Sequence, residues 1–271
     1  MKCRDVPGSM SHIQSLPNEL LVGIFESGVS MCTGHPELRL PFQHLVSSVS
    51  RKWRAVALSS PCLWTTIVFD CLWSPQFKCA SLWIERSGAC LLDITIFINP
   101  ISSDSAKSAM DRVIPHTHRW RQFRVVTFPQ SMFETIVAPL RTAAAPHLRR
   151  FDMTVHTDEN YFETIRAPPT LRDHFLTGNA ASLTSARILG LYHMCTPPLT
   201  GLTFLQLGGS FGHCLRPVNN IVNARFTIES LRDFLTESPT LTHLVLQRLD
   251  ISFPLNTSVF GIQIPSVDRV S

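Results

Sequence analysis

Gly208, Ser210 and Gly212 spell Gly-x-Ser-x-Gly behind a strand-like stretch, the spacing in this chain that comes nearest to bond chemistry. A nucleophile elbow uses glycines on both sides of the serine so that a sharp strand-to-helix turn can lift its Oγ out for attack. The turn must be followed by a helix, and later by an acid and a histidine. Leu215, Arg216, Pro217, Val218 and Asn219 make a poor helix start, His213 sits too close to Ser210, and His243 is the one histidine further on. The 59 residues after Gly212 are too few to complete an α/β-hydrolase sheet. A glycine-rich turn is the better reading, and a serine esterase using Ser210 is the least favoured function.

His116 and His118 stand two apart beside Arg119, Trp120, Arg121 and Arg124. Two such histidines can share a face of a strand, but metal binding needs a third and fourth ligand, and none is near in sequence. Three arginines around a tryptophan are more often a solvated strand flank than a phosphate-binding stripe. The eight cysteines are scattered with no Cys-x-x-Cys. There is no P-loop, Rossmann fingerprint or His-Glu-x-x-His. We therefore expect no enzyme, no cofactor, no metal and no nucleic-acid partner.

Bulk properties agree. The chain has 271 residues, 44% hydrophobic and 16% charged, with a net charge of +4 that is spread along it. This is globular composition. The first residues lack the apolar core of a secretory leader, and the apolar run 89–98 contains Asp93 and is too short to span a bilayer. The expectation is a cytoplasmic or nuclear protein with reduced thiols and no membrane partner.

Two stretches near the start must carry the function instead. In the first, Pro17 and Glu19 open a helix, where a missing N–H costs nothing and a carboxylate meets the positive dipole end. Leu20, Leu21, Ile24 and Phe25 then share a helical face, and Gly28 is the expected stop. Residues 30–41 hold Gly34, Pro36 and Pro41 and read as a loop. A second helix is expected over 42–58, with Leu45, Val46, Val49, Trp53, Val56 and Ala57 as its apolar stripe and Arg51, Lys52 and Arg54 in water. Ser59-Ser60-Pro61 ends it.

Leu16-Pro-x-Glu-Leu-Leu-x-x-Ile-Phe25, a spacer, Val49-x-Arg-x-Trp-Arg-x-x-Ala57 and Pro61-x-Leu-Trp64 together resemble an F-box, in the form found in mushroom-forming fungi. Ser50 stands where that family commonly has cysteine. The resemblance implies docking on the Skp-type adaptor of a cullin ubiquitin ligase. Carried over by position, Leu16, Pro17, Leu20, Ile24, Phe25 and Trp53 are the adaptor-contacting or supporting residues.

After Trp64 a different pattern recurs: a large apolar residue, two others, an apolar one, another, an apolar one. It runs Trp64/Ile67/Phe69, Leu91/Ile94/Ile96, Trp120/Phe123/Val125, Leu148/Phe151/Met153, Leu183/Ala186/Ile188, Leu202/Leu205/Leu207 and Leu241/Leu244/Leu246. Residues two apart on a strand face the same way. Helices are expected between strands at 76–87, 131–142 (with Pro139 in its last turn) and 227–237. A strand and a helix every 27 to 29 residues is the arithmetic of a leucine-rich repeat, here degenerate, since none of the units has the usual asparagine or cysteine.

The expected fold is thus α/β: a disordered N-terminus (1–14), an F-box helical module (15–64), an irregular leucine-rich-repeat-like solenoid with a parallel sheet (65–250), and an irregular tail or incomplete cap (251–271). An ordinary α/β domain is the alternative for the repeat region. The outward strand positions Arg124, Asp152, Arg187, Gln206 and Val245 are the candidates for holding a target protein. The expected function is a non-catalytic substrate-recognition adaptor of a Skp–cullin–F-box ubiquitin ligase. The alternatives are an interaction scaffold and a truncated F-box protein without a ligase role.

Overall fold

The structure is a computed structural model and describes residues 16–32, 42–70, 74–98, 103–127, 133–155, 173–190, 195–209, 224–247 and 249–252. The chain divides into two compact units: Met1–Thr66 with Leu82–Cys90, and Ile67–Ser81 with Leu91–Ser271.

The first unit is helical. Helix α1 (Asn18–Cys32) begins as its sequence dictates, with Glu19 in the first turn and the Pro17 carbonyl accepting the Leu21 N–H at 3.2 Å. It does not stop at Gly28 but continues one further turn. The expected terminator serves packing instead: a Cβ at Gly28 would overlap the ring of Phe42. Residues 30–32 are therefore helical, and the rest of the expected loop, 33–41, lies outside the described residues.

The single helix expected over 42–58 is two, α2 (Phe42–Val49) and α3 (Arg51–Leu58). Ser50 separates them. Its extended backbone (φ −156°) breaks the helix, and its Oγ accepts the Trp53 N–H at 3.1 Å, so the residue is the N-cap of α3. Such a cap contributes ~1 kcal/mol. A 3-10 turn, Pro61–Trp64, follows α3, with Leu63 and Trp64 buried. The Trp64 indole donates to the Ala57 carbonyl at 2.9 Å, tying the turn back to the end of α3.

The second unit is built on a parallel sheet. Strands β1 (Thr66–Asp70), β2 (Leu92–Ile98), β3 (Trp120–Thr127), β4 (Arg150–Val155), β6 (Ser185–Leu189), β8 (Phe204–Gly208) and β10 (His243–Gln247) form one seven-stranded sheet in that order, so each strand joins the same growing edge. Two short parallel pairs lie apart from it: β5 (Asp173–His174) with β7 (Cys195–Thr196), and β9 (Ala224–Thr227) with β11 (Leu249–Ser252). Parallel strands require crossovers. Those described are α4 (Ser74–Arg86), α5 (Ser103–Val113), α6 (Phe133–Leu140, with Pro139 inside) and α7 (Ile228–Glu237).

The apolar pattern is the register of the sheet. Ile94, Phe123, Phe151, Ala186, Leu205 and Leu244 face one another strand by strand, and so do Ile96, Val125, Met153, Ile188, Leu207 and Leu246. All are buried up to β8, while on β10 Leu244 is half-buried and Leu246 exposed. Each buried Leu, Ile or Phe contributes ~1.5–3 kcal/mol. Aromatic rings continue the core, with Trp120 stacked on Phe123 at 4.4 Å and Phe151 against Phe175 at 4.7 Å.

One anchor is displaced by a residue. Trp120 pairs with Leu92, which is fully buried, and not with Leu91; the register then shifts so that Asp93 faces Gln122. Arg121 is the extra residue of a bulge. With this correction the first four anchors are 64, 92, 120 and 148, an even 28 apart.

The backbone repeats as well. The N–H groups of Leu148, Leu183, Leu202 and Leu241 each donate to the carbonyl three residues back, so an identical turn precedes each of these strands. The residue after the anchor is threonine in the last three units. Thr184, Thr203 and Thr242 each send both N–H and Oγ1 to the carbonyl of the equivalent residue one strand earlier: Arg149, Thr184 and Thr203.

Candidate functional site

Helix α1 divides the apolar residues that the sequence places on one face. Leu21 and Phe25 are fully buried, whereas Leu20 is 56% and Ile24 48% exposed. Met31 is 79% exposed. Leu20, Ile24 and Met31 are four and seven residues apart, which at ~100° per residue sets them in one line down the helix. On α2, Leu45 and Val49 form a second exposed pair one turn apart. Five large apolar side chains left in water on two short helices forgo ~1.5–3 kcal/mol each unless something covers them.

Behind the stripe the unit is rigidly built. The rings of Phe25 and Trp53 meet at 5.0 Å and 57°, joining α1 to α3. Lys52 Nζ donates to the Leu16 carbonyl at 2.6 Å and holds the chain just ahead of α1. The Arg86 guanidinium lies 4.6 Å above the Trp64 ring, and Trp83 packs against both Trp64 and His44. Burial, and after it the Arg86 charge, lowers the His44 pKa below its usual 6.5.

The six residues expected to serve docking therefore differ in kind. Leu20, Ile24 and Pro17 are exposed, Leu16 and Trp53 half-buried, and Phe25 wholly inside. Phe25 is placed to support the surface from within. Met31, Leu45 and Val49 join the exposed set. The sequence offered a signal for Met31, seven residues beyond Ile24, but it lies past the glycine that looked like a helix end.

In the second unit, Arg124, Asp152, Arg187, Gln206 and Val245 fall in one row across β3, β4, β6, β8 and β10, with Thr95 of β2 at its head. Their exposure falls along the row. Arg124 is exposed, Asp152, Arg187 and Val245 are half-buried, and Gln206 is buried at 8%. One row over, the bulge residue Arg121 grips Asp93 with two hydrogen bonds, 2.9 and 2.5 Å, and Arg150 Nε reaches Asp152 at 3.2 Å. The patch on β2 to β4 is polar and mixed in sign.

Ser210 and His213 lie outside the described residues. His116 and His118 belong to a 3-10 segment (Ile114–Arg119) ahead of β3, not to a strand, with ring centres 6.5 Å apart. Among the described residues no three His, Cys, Asp or Glu side chains gather to hold a metal ion, and no helix is long and apolar enough to cross a membrane.

The F-box-like family model matches residues 13–70, a stretch that takes in α1, α2, α3 and β1. No curated protein matches the chain. The chain thus carries an F-box-like helical region at its N-terminal end, ahead of a mixed helix and parallel-sheet region. F-box domains in general serve adaptors of ubiquitin ligases and are not enzymes.

Proposed function

We propose that this protein is a non-catalytic substrate adaptor of a Skp–cullin–F-box ubiquitin ligase. The observation that carries the reading is the exposed line Leu20–Ile24–Met31, lying within the stretch that matches the F-box-like model. A rigid helical unit that presents leucine, isoleucine and methionine to water is built to be covered by a partner. That partner is the Skp-type adaptor, and cullin joins through it.

The parallel sheet is the target-holding part. Its strands add in chain order, its register repeats the apolar pattern, and the same turn precedes four of the strands, which together support a leucine-rich-repeat-like stack. The mechanism is proximity. Holding a target beside a ubiquitin-carrying partner raises its effective concentration, and no side chain here makes or breaks a bond.

Purified protein mixed with a purified Skp-type adaptor is expected to form a complex on size exclusion, and Leu20→Asp with Ile24→Asp to abolish it. Absence of a complex with the unaltered chain sinks the proposal. Co-purification of cullin separates the ligase role from a scaffold that uses the same surface without it.

A further inference from the structure

We propose that Cys62 and Cys90 form a dithiol site that hydroperoxides convert to a disulfide. Cys62 lies in the 3-10 turn Pro61–Trp64 and is exposed; Cys90 is half-buried and ends the turn ahead of β2; their Sγ atoms stand 3.6 Å apart. A disulfide needs a separation of ~2.05 Å. The remaining ~1.5 Å is within the reach of a rotation about χ1, which swings Sγ around Cβ.

The placement follows from the repeat. Cys62 is two residues before Trp64 and Cys90 two before Leu92, so the thiols occupy the same position in successive 28-residue units. Both backbones are pinned. Leu63 N–H donates to the Ser60 carbonyl at 3.2 Å, and Thr65 Oγ1 donates to the Cys62 carbonyl at 2.9 Å. Cys90 N–H donates to the Ser87 carbonyl at 2.9 Å, and Ser87 is itself buried and bonded through Oγ to the Ile84 carbonyl at 2.7 Å. A pair held this close loses little freedom when the bond closes, and an exposed sulfur admits the oxidant.

The chemistry balances with a hydroperoxide as the two-electron acceptor. The Cys62 thiolate attacks one peroxide oxygen: an S–O bond forms, the O–O bond breaks, and the leaving oxygen takes a proton to give water or an alcohol. The Cys90 thiolate then attacks Cys62 Sγ: the S–S bond forms, the S–O bond breaks, and hydroxide departs to become water. Two thiols lose two protons and two electrons, and the peroxide is reduced. The product is a covalent ring enclosing residues 62–90. The inference is independent of the adaptor reading.

The test is peptide mapping of the full chain after titration with hydrogen peroxide and alkylation of the remaining thiols. The alkyl labels on Cys62 and Cys90 are expected to fall in equal proportion, with a non-reduced peptide pair joined at these two residues, and to return together with dithiothreitol. Cys79, half-buried on α4, should keep its label over the same range. In Cys90→Ser the joined pair should vanish while Cys62 oxidises singly. Labels that fall independently, a joined pair involving any other cysteine, or loss of the Cys79 label first overturns the proposal. The mapping on the unaltered chain decides the matter even where a variant folds poorly.

Discussion

Phe25 and Trp53 meet ring to ring at 5.0 Å, and the two differ in exposure: Phe25 is sealed while Trp53 is only half covered. Phe25→Ala opens a cavity beneath α1 and removes the ring contact. It should cost ~3–5 kcal/mol in a denaturant titration.

Leu20 and Ile24, one position earlier in each case, should behave in the opposite manner. Replacing either with a polar residue leaves no cavity, so stability should stay within ~0.5 kcal/mol of the parent. The thermal melt of Leu20→Gln beside that of Leu21→Gln checks it, since Leu21 is fully buried and Leu20 is not.

Trp64 and Trp120 are both buried but differ in what their indole N–H meets. The Trp64 N–H donates to the Ala57 carbonyl, whereas Trp120 Nε1 is buried with no hydrogen-bond partner. Trp64→Phe therefore strands a carbonyl and should cost ~1–3 kcal/mol on top of the lost ring area. Trp120→Phe loses area alone and removes an unsatisfied donor. The two unfolding free energies, compared directly, should differ in that sense.

The sheet was legible because a strand's two-residue period is written in side chains: every apolar pair from Ile94/Ile96 to Leu244/Leu246 sits in register. The bulge was not, because Leu91 and Leu92 are both leucine and only pairing decides which goes inside. Helix α5 escaped notice since its buried face is Ala106, Ala109, Met110 and Val113, mostly too small to stand out. Ser50 and Gly28 misled for a related reason. A serine inside an apolar period looks tolerable until its Oγ caps Trp53, and a glycine looks like an end until Phe42 fills the space beside it.

Acid should loosen the fold through two histidines. Burial and Arg86 lower the pKa of His44, and burial, Arg119 and His118 lower that of His116. The folded state therefore resists protonation that the unfolded chain accepts. The stability from the neutral rings is complete above the unfolded value near 6.5 and is lost as pH falls from there through the lowered folded values. The melting temperature should drop between about pH 7.5 and pH 5. In NMR titration His44 should show a midpoint below 6.5 that rises in Arg86→Gln.

The Arg121–Asp93 pair has good geometry but is open to water, at 42% and 23% side-chain exposure. Arg121→Gln should cost less than ~1 kcal/mol, and less still in high salt. A chemical-denaturation midpoint measured at low and high ionic strength reads this.

The spacing between anchors is even at first, 28 residues each from Trp64 to Leu148, and then becomes 35, 19 and 39. The pairing does not notice: β4, β6, β8 and β10 stay in step, and Thr184, Thr203 and Thr242 make the same bonds across connections that differ twofold in length. Alignment is set locally by the turn and the threonine at each strand's start, so the stretches between are uncoupled from it. Insertions and deletions there are the mutations this architecture absorbs most easily, which leaves such segments free to diverge in sequence and size while the ordered strands hold their phase.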